Sequence, residues 1–245
     1  MPRKLTITLT CSNRADYLKE VIDTIRDADK TDIEILFLPS IDYKSQKVVD
    51  IISNVDFIEK DIYIHNPRLG CNQNTLFAIN RGIRYGFSDY VLHLEDDTPI
   101  SKDALQYFMY CFKKYDDDKN ILSVGGYNKT EDFDESEIYE IFTQNFFSAW
   151  GCGFWKSKWD IFVKNWSKSN SNFDMSWDSY IHEILFVKEL FHQARPKISR
   201  IQNIGALNGT WVQDPVWHYY NHRSPYLSND FEGNIDWIQY AKNNQ

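Results

Sequence analysis

Cysteine is scarce in this sequence of 245 residues, with 4 in all. Cys11, Cys71, Cys111 and Cys152 lie far apart and form no Cys-x-x-Cys pair. That excludes a zinc ribbon or a disulfide framework and points to a reducing, cytoplasmic setting. Glycine is also sparse, at 10 residues. No Gly-x-x-x-x-Gly-Lys-Ser/Thr phosphate loop occurs, and Gly151-Cys152-Gly153 lacks the third glycine of a dinucleotide fingerprint and stands far from the first strand. The serine-hydrolase elbow and the His-Glu-x-x-His zinc motif are missing as well. No apolar run approaches the roughly 18 residues that cross a bilayer, and Met1-Pro2-Arg3-Lys4-Leu5 leads straight into a strand with no apolar leader. Peripheral association is the one form of membrane contact left open. Positive charge is short too: 27 Lys and Arg against 35 Asp and Glu leave a net charge of -8, which disfavours a grip on nucleic acid.

What is present is an ordinary globular composition, 42% hydrophobic and 25% charged, on a chain long enough to bury a continuous core without staples. Aromatic residues reach 16%. Rings in this number suit a core, and they also suit a surface that stacks on sugars or bases.

Leu5 to Thr10 alternates aliphatic residues with threonines and reads as a strand. Ser12 or Asn13 then caps a helix from about Ala15 to Ala28, whose apolar face is Leu18, Val21, Ile22 and Ile25. A second strand, Ile33 to Leu38, is stopped by Pro39. Gln46 to Ser53 is helical, Asp61 to His65 a short strand, Asn72 to Tyr85 a helix, and Tyr90 to Leu94 a strand running directly into three acids. A helix from Lys102 to Tyr115 and a strand from Ile121 to Val124 follow. This rhythm predicts an α/β fold with a largely parallel, doubly wound sheet, ligands lying at the carboxyl ends of the strands. The second half is Trp-rich, with strand-like Tyr139–Phe142 and Phe146–Ala149 and helices at Lys156–Val163 and Met175–Leu190. With no Ser/Gly-rich linker and no repeat, one domain over 1–245 is the expected organisation.

Glu95-Asp96-Asp97 closes the apolar strand. Three neighbouring carboxylates raise one another's pKa, and a divalent cation removes that penalty. Hard oxygen ligands suit Mg²⁺ or Mn²⁺, completed by substrate phosphates. A solvated turn with Asp97 or Thr98 capping the next helix is the plainer alternative.

These residues and several others resemble the GT-A glycosyltransferases, and the chain is similar to glycosyltransferase family 2. Thr6 to Leu18, through Cys11-Ser12-Asn13-Arg14, resembles their opening strand and loop. Asn66-Pro67-Arg68-Leu69-Gly70-Cys71-Asn72-Gln73-Asn74 resembles the loop before their third helix, and the acidic triplet stands where their metal-binding motif stands. Trp177-Asp178-Ser179-Tyr180 and Arg195-Pro196-Lys197-Ile198-Ser199-Arg200 resemble elements of the inverting N-acetylglucosaminyltransferase I group, although Ser179 replaces an acid and His182 an arginine.

The resemblance implies a Rossmann-like nucleotide-diphospho-sugar transferase with a mixed, mainly parallel sheet. It implies transfer of a hexosyl or N-acetylhexosaminyl group from a nucleotide-sugar donor, a UDP-sugar by expectation, to a carbohydrate or other hydroxyl-bearing acceptor. Residues 1–100 would be the nucleotide-binding half and 101–245 the acceptor side with an irregular tail. Mn²⁺ or Mg²⁺ would sit on Asp97 with support from Glu95 or Asp96, and Asp178 would be the general base, although by spacing alone Asp178 reads first as a helix-start carboxylate. Thr10, Cys11, Ser12, Asn13 and Arg14 would meet the donor, Asp42 the uracil edge. Arg68 and Asn74 would touch the ligand or serve the turn and helix start. Trp150 and Gly151 would border the donor sugar, or form a turn packed in the core. Thr210 would sit in a loop over the diphosphate. His218 or His222 would place an imidazole on the metal, or remain an ordinary satisfied histidine. A sugar nucleotidyltransferase is the alternative enzyme, though Thr10 to Ala15 has no glycine. A non-catalytic carbohydrate-binding protein is the other, and it has no use for three adjacent carboxylates.

Overall fold

The computed structural model describes residues 2–43, 45–129, 134–169, 176–207, 214–222, 233 and 235–244. In chain order the elements are β1 (Arg3–Cys11), α1 (Ala15–Asp27), β2 (Ile33–Ile41), α2 (Gln46–Ser53), β3 (Glu59–Lys60), β4 (Tyr63–Ile64), α3 (Cys71–Tyr85), β5 (Tyr90–Glu95), α4 (Ala104–Lys114) and β6 (Ile121–Gly125). They continue with β7 (Ile141–Gln144), β8 (Cys152–Trp155), α5 (Trp159–Ser169), α6 (Trp177–Ile181), β9 (His192–Pro196), α7 (Pro215–His222) and α8 (Trp237–Asn243). The strands form one sheet in the order β3-β2-β1-β5-β8-β6-β9-β7, with β4 also on β2. β1 pairs in parallel with both β2 and β5, while β8 enters antiparallel between β5 and β6, and β7 lies antiparallel to β9. The mixed, mainly parallel sheet expected from the sequence is the one observed.

Alternation in β1 sorts its side chains between two layers. Leu5, Ile7, Leu9 and Cys11 join Leu18, Val21 and Ile25 of α1 and Phe108 and Phe112 of α4 in the larger core. Each such buried aliphatic contributes roughly 1.5–3 kcal/mol of transfer free energy. Thr6, Thr8 and Thr10 face the other way and are buried under α3 rather than solvated. Gly82 permits that close approach, since a β-carbon there would lie 2.6 Å from Thr8 Cγ2. A second core joins Ile79 and Ile83 of α3 to Phe154, Trp159, Phe162, Trp166, Trp177 and Ile181. Most of the described tryptophans are therefore core: Trp155, Trp159, Trp166, Trp177 and Trp237 are all buried.

Several local expectations are corrected. Pro39 does not end β2, which continues to Ile41; the neighbouring strand pairs at Glu59–Lys60 and again at Tyr63–Ile64, so Pro39 faces the gap between them. Neither Ser12 nor Asn13 caps α1. Arg14 occupies that position without a side-chain cap, and the Ser12 N–H is drawn to Asp96 instead. The fifth helix starts at Trp159, because Lys156–Lys158 forms a tighter 3₁₀ turn. Phe146–Ala149 is not a strand. The helix beginning at Trp177 becomes a π-turn over His182–Lys188, with Glu189 N–H reaching back five residues to Ile184 O at 3.2 Å. Among the described residues no helix is long and apolar enough to cross a membrane.

A carboxylate cleft at the strand ends

β1, β2 and β5 are adjacent and parallel, so their C-termini open along one edge of the sheet. That edge, with the starts of α3 and α6, encloses a cleft of about 560 Å³. From β1 and its loop come Thr10, Cys11, Ser12, Asn13 and Arg14; from the ends of β2 and β5 come Asp42 and Glu95, Asp96 and Asp97.

The backbone turns sharply after Glu95. Thr98 makes the turn, its hydroxyl accepting from Glu95 N–H at 2.8 Å and donating to Glu95 O at 2.9 Å. Thr98 is therefore committed to the turn, and Asp103 rather than Asp97 precedes α4. The three acids part company as a result. Asp96 and Asp97 turn to Arg14, whose two terminal nitrogens pair with Asp96 Oδ1 and, at 2.7 Å, with Asp97 Oδ2. Burial works against the Arg14 charge, but Asp97 and Asp96 outweigh it and hold its pKa above the usual value. Burial, opposed by Arg14, pushes Asp96 up to about 6. Glu95 is pushed well above the carboxylate range by burial first and then by Asp97 and Asp178.

Asp42 is buried and holds the loop before α3. It accepts from Arg68 Nε at 3.0 Å, Leu69 N–H at 2.7 Å and Gly70 N–H at 3.0 Å. Gly70, at φ 84, supplies the left-handed residue that starts α3. One turn into the helix, Asn74 exchanges hydrogen bonds with Ser40: the Ser40 hydroxyl donates to Oδ1 at 2.6 Å and Nδ2 donates to Ser40 O at 3.3 Å. Asn74 thus serves packing while still lining the cleft.

Asp178 comes from the opposite wall. Its helix is anchored by Trp177, which stacks on Trp166 with centroids 4.4 Å apart and whose backbone N–H donates to Asn72 Oδ1 at 3.2 Å. The start of α6 is thereby pinned to the start of α3. His218 Nε2 lies 2.7 Å from Asn203 Oδ1, which also accepts from Gly205 N–H at 3.0 Å, so the imidazole is the donor.

The sequence candidates thus converge, apart from Gly151, Thr210 and His222. Arg68, Asn74, Trp150, Asp178 and His218 line the cleft together with the residues of the three strand ends. Gly151 does not: at φ 57 it turns the chain, and a β-carbon there would meet Ile201 Cδ1 at 1.9 Å. Thr210, like the side chain of His222, lies outside the described residues. Sequence reasoning missed Cys71, Thr75, Ala149, Ser176, Asn203 and Gly205, and passed over Trp177 and Ser179 as site residues. Cys71 and Thr75 share a helix face with Asn74 and were within reach of periodicity; Asn203 and Gly205 carry no motif.

Residues 6–168 match the family model described as Glycosyl transferase family 2. The poly-beta-1,6-N-acetyl-D-glucosamine synthase of Staphylococcus aureus (strain MSSA476) is 29% identical over 111 residues, 44% of this chain and 25% of that protein. Its counterpart in Staphylococcus epidermidis is 26% identical over 112 residues, 45% of this chain and 26% of that protein. The chain therefore spans about a quarter of the length of these curated relatives. Among solved structures, S. aureus TarS 1-349 superposes with a TM-score of 0.52 at 12% identity, covering 81% of this chain and 59% of that one. The mannosyltransferase PcManGT from Pyrobaculum calidifontis, in complex with GDP-Man and Mn²⁺, gives a TM-score of 0.50 at 16% identity over 80% of this chain and 55% of that one. At such identities the likeness shows the fold.

Proposed function

Since the chain belongs to glycosyl transferase family 2, we propose that its cleft carries out metal-dependent, inverting transfer of a hexosyl or N-acetylhexosaminyl group from a nucleotide-diphosphate sugar to an acceptor hydroxyl. One observation carries this reading: Asp96–Asp97 and Asp178, far apart in sequence, line the same cleft at the carboxyl edge of the parallel strands. Residues 1–100 form the donor side and residues 101–245 the acceptor side. A UDP donor is the first choice; a relative is named for a poly-N-acetylglucosamine product, and TarS has been crystallised with UDP.

The donor set fits a divalent cation. Asp97 Oδ1 is a buried oxygen without a hydrogen-bond partner, an unsatisfied acceptor of the kind a cation relieves. No cluster of three ligating side chains occurs among the described residues. That suits Mn²⁺ or Mg²⁺, which take one or two carboxylates and fill the remaining positions with phosphate oxygens and water. Asp97 would hold the ion, with Asp96 and His218 as further candidates. When bound, the cation neutralises the departing diphosphate.

The residues of the chain do the rest. Asp178 accepts the acceptor's hydroxyl proton as that oxygen bonds to the anomeric carbon. The bond from that carbon to the diphosphate oxygen breaks, its electron pair leaving with the diphosphate. One displacement inverts the anomeric centre and needs no protein nucleophile. Arg68 and the loop held by Asp42 border the donor.

A panel of nucleotide sugars with Mn²⁺ tests the reading. Manganese-dependent UDP binding and donor turnover are expected; the absence of both rejects it. Asp178→Asn should keep UDP affinity and lose roughly 10²–10⁴-fold in kcat, the usual contribution of a general base. A near-normal kcat removes Asp178 from the mechanism.

A further inference from the structure

Arg14 lies on the two carboxylates assigned to the cation, through Asp97 Oδ2 and Asp96 Oδ1. One nitrogen meets Asp97 Oδ2 at 2.7 Å and the other meets Asp96 Oδ1, so a single guanidinium straddles both carboxylates. Gln202–Leu207 roofs the contact. Ile204 N–H donates to Asp97 O at 3.0 Å, and a β-carbon on Gly205 would stand 2.0 Å from Asp97 Oδ2 and 3.2 Å from Arg14 Nη1. Tyr17 ties roof to arginine, its ring 5.8 Å from the guanidinium and its hydroxyl accepting from Leu207 N–H at 3.0 Å. Neither Asp97 oxygen is open: Oδ2 carries Arg14, and Oδ1 is buried.

We infer that Arg14 is an internal competitor of the cation, which exchanges Asp96 and Asp97 for the donor's diphosphate, so that Asp97 takes a divalent ion tightly only together with a nucleoside diphosphate. The inference rests on the cation–diphosphate reading of the cleft. Two carboxylates and one guanidinium leave a single net negative charge, a weak attraction for a bare divalent ion. A diphosphate brings acceptor oxygens that suit the planar fork of an arginine better than any other side chain. Once the guanidinium moves to them, both carboxylates are free for the ion. Binding of either ligand thereby favours the other.

The test follows Mn²⁺ through the loss of its free-ion electron paramagnetic resonance signal, with and without UDP, on the full chain. Without UDP, Arg14→Gln should bind Mn²⁺ at least about tenfold more tightly than wild type, because a like charge a few ångströms away has been removed. At saturating Mn²⁺ the same variant should bind UDP at least about tenfold more weakly, having lost a charge-assisted contact. The sign reversal is the signature, since a merely structural arginine would weaken both. Arg14→Lys keeps the charge but cannot straddle two carboxylates, so it should bind Mn²⁺ alone more tightly than wild type and less tightly than Arg14→Gln; if Arg14→Gln fails to fold, Arg14→Lys against wild type decides. Unchanged or weaker binding of Mn²⁺ alone overturns the inference, as does unchanged UDP affinity. If the wild type binds UDP with manganese but the reversal is missing, only the role of Arg14 falls. If the wild type shows no manganese-dependent UDP binding, the reading of the cleft fails and this inference with it.

Discussion

Replacing Gly205 with alanine would place a methyl carbon 2.0 Å from Asp97 Oδ2, 2.9 Å from Asp97 Cγ and 3.2 Å from Arg14 Nη1. Ordinary contact begins at 3.4 Å, so the carboxylate oxygen or the roofing segment must retreat by about 1.4 Å. The oxygen cannot do so and keep its 2.7 Å contact with Arg14, and the roof is tied to Asp97 O through Ile204 N–H at 3.0 Å. Overpacking of this kind costs about 1–3 kcal/mol. For a chain of this size each kcal/mol moves Tm by about 2–4 °C, so Gly205→Ala should melt about 2–12 °C lower. Lost stability alone does not implicate the site, and manganese-dependent UDP affinity is the second readout. A displacement of about 1 Å in positioned groups can cost about 10²-fold in function, and a fall of that order is expected in UDP affinity. The reasoning is refuted if Gly205→Ala melts with the wild type and binds UDP equally well.

Arg200→Met should destabilise the fold by about 3–5 kcal/mol in urea melts, because it strands the buried carboxylate of Asp103, which now accepts from Arg200 Nε at 2.8 Å. Asp103→Asn in that background should recover part of the loss; no recovery would refute the charge argument. His93 is wholly buried, and burial lowers its pKa to about 3 from 6.5, so the unfolded chain binds its proton first and His93 subtracts stability as pH falls below 6.5. Asp96 and Glu95, with raised pKa values, act in the opposite direction. The check is therefore the difference between wild type and His93→Asn: between pH 6.5 and 5 the wild type should lose up to about 1.4 kcal/mol per pH unit relative to the variant. Cys71 is the exposed cysteine, the other three being buried. Although Cys71 reaches solvent at the cleft, the protein packed around its thiol desolvates it and, with Glu95, Asp178 and Asp96, pushes its pKa up to about 12. Iodoacetamide should therefore label Cys71 alone, slowly at pH 8, and UDP with Mn²⁺ should slow it further.

The fold was legible where chemistry repeats along the chain. Leu5, Ile7 and Leu9 alternate with Thr6, Thr8 and Thr10, and that pattern marks a buried strand whichever layer covers each face. Strand position was less legible. The short β8 slips antiparallel between β5 and β6, with Gly153 giving room for Phe112, whose ring atom would stand 2.5 Å from a β-carbon there. Nothing in four residues announces such a neighbour. The acidic triplet stood out because apolar residues lead directly into it, whereas Asp178 was singled out by family resemblance against a spacing that favours a helix-start carboxylate. Arg200, matched to a family segment, proves to be a core cation on Asp103 with no place in the cleft lining. Asn203 and Gly205 were invisible, because their importance lies in backbone crossing over Asp97, a contact between segments distant in sequence.

Three consecutive acids would crowd one another on a continuous strand, and the turn made by Thr98 separates them by function. Asp96 and Asp97 are answered by Arg14, while Glu95 lies where Asp178 and Asp97 both oppose its ionisation. A carboxyl pushed well above its ordinary range keeps its proton further toward neutrality, which reduces the negative charge of the cleft wall. This matters for the proposed reaction because the donor is itself an anion. A wall carrying every formal charge of Glu95, Asp96, Asp97 and Asp178 would repel a diphosphate. With Arg14 on two carboxylates and a proton favoured on the third, repulsion falls before any cation arrives.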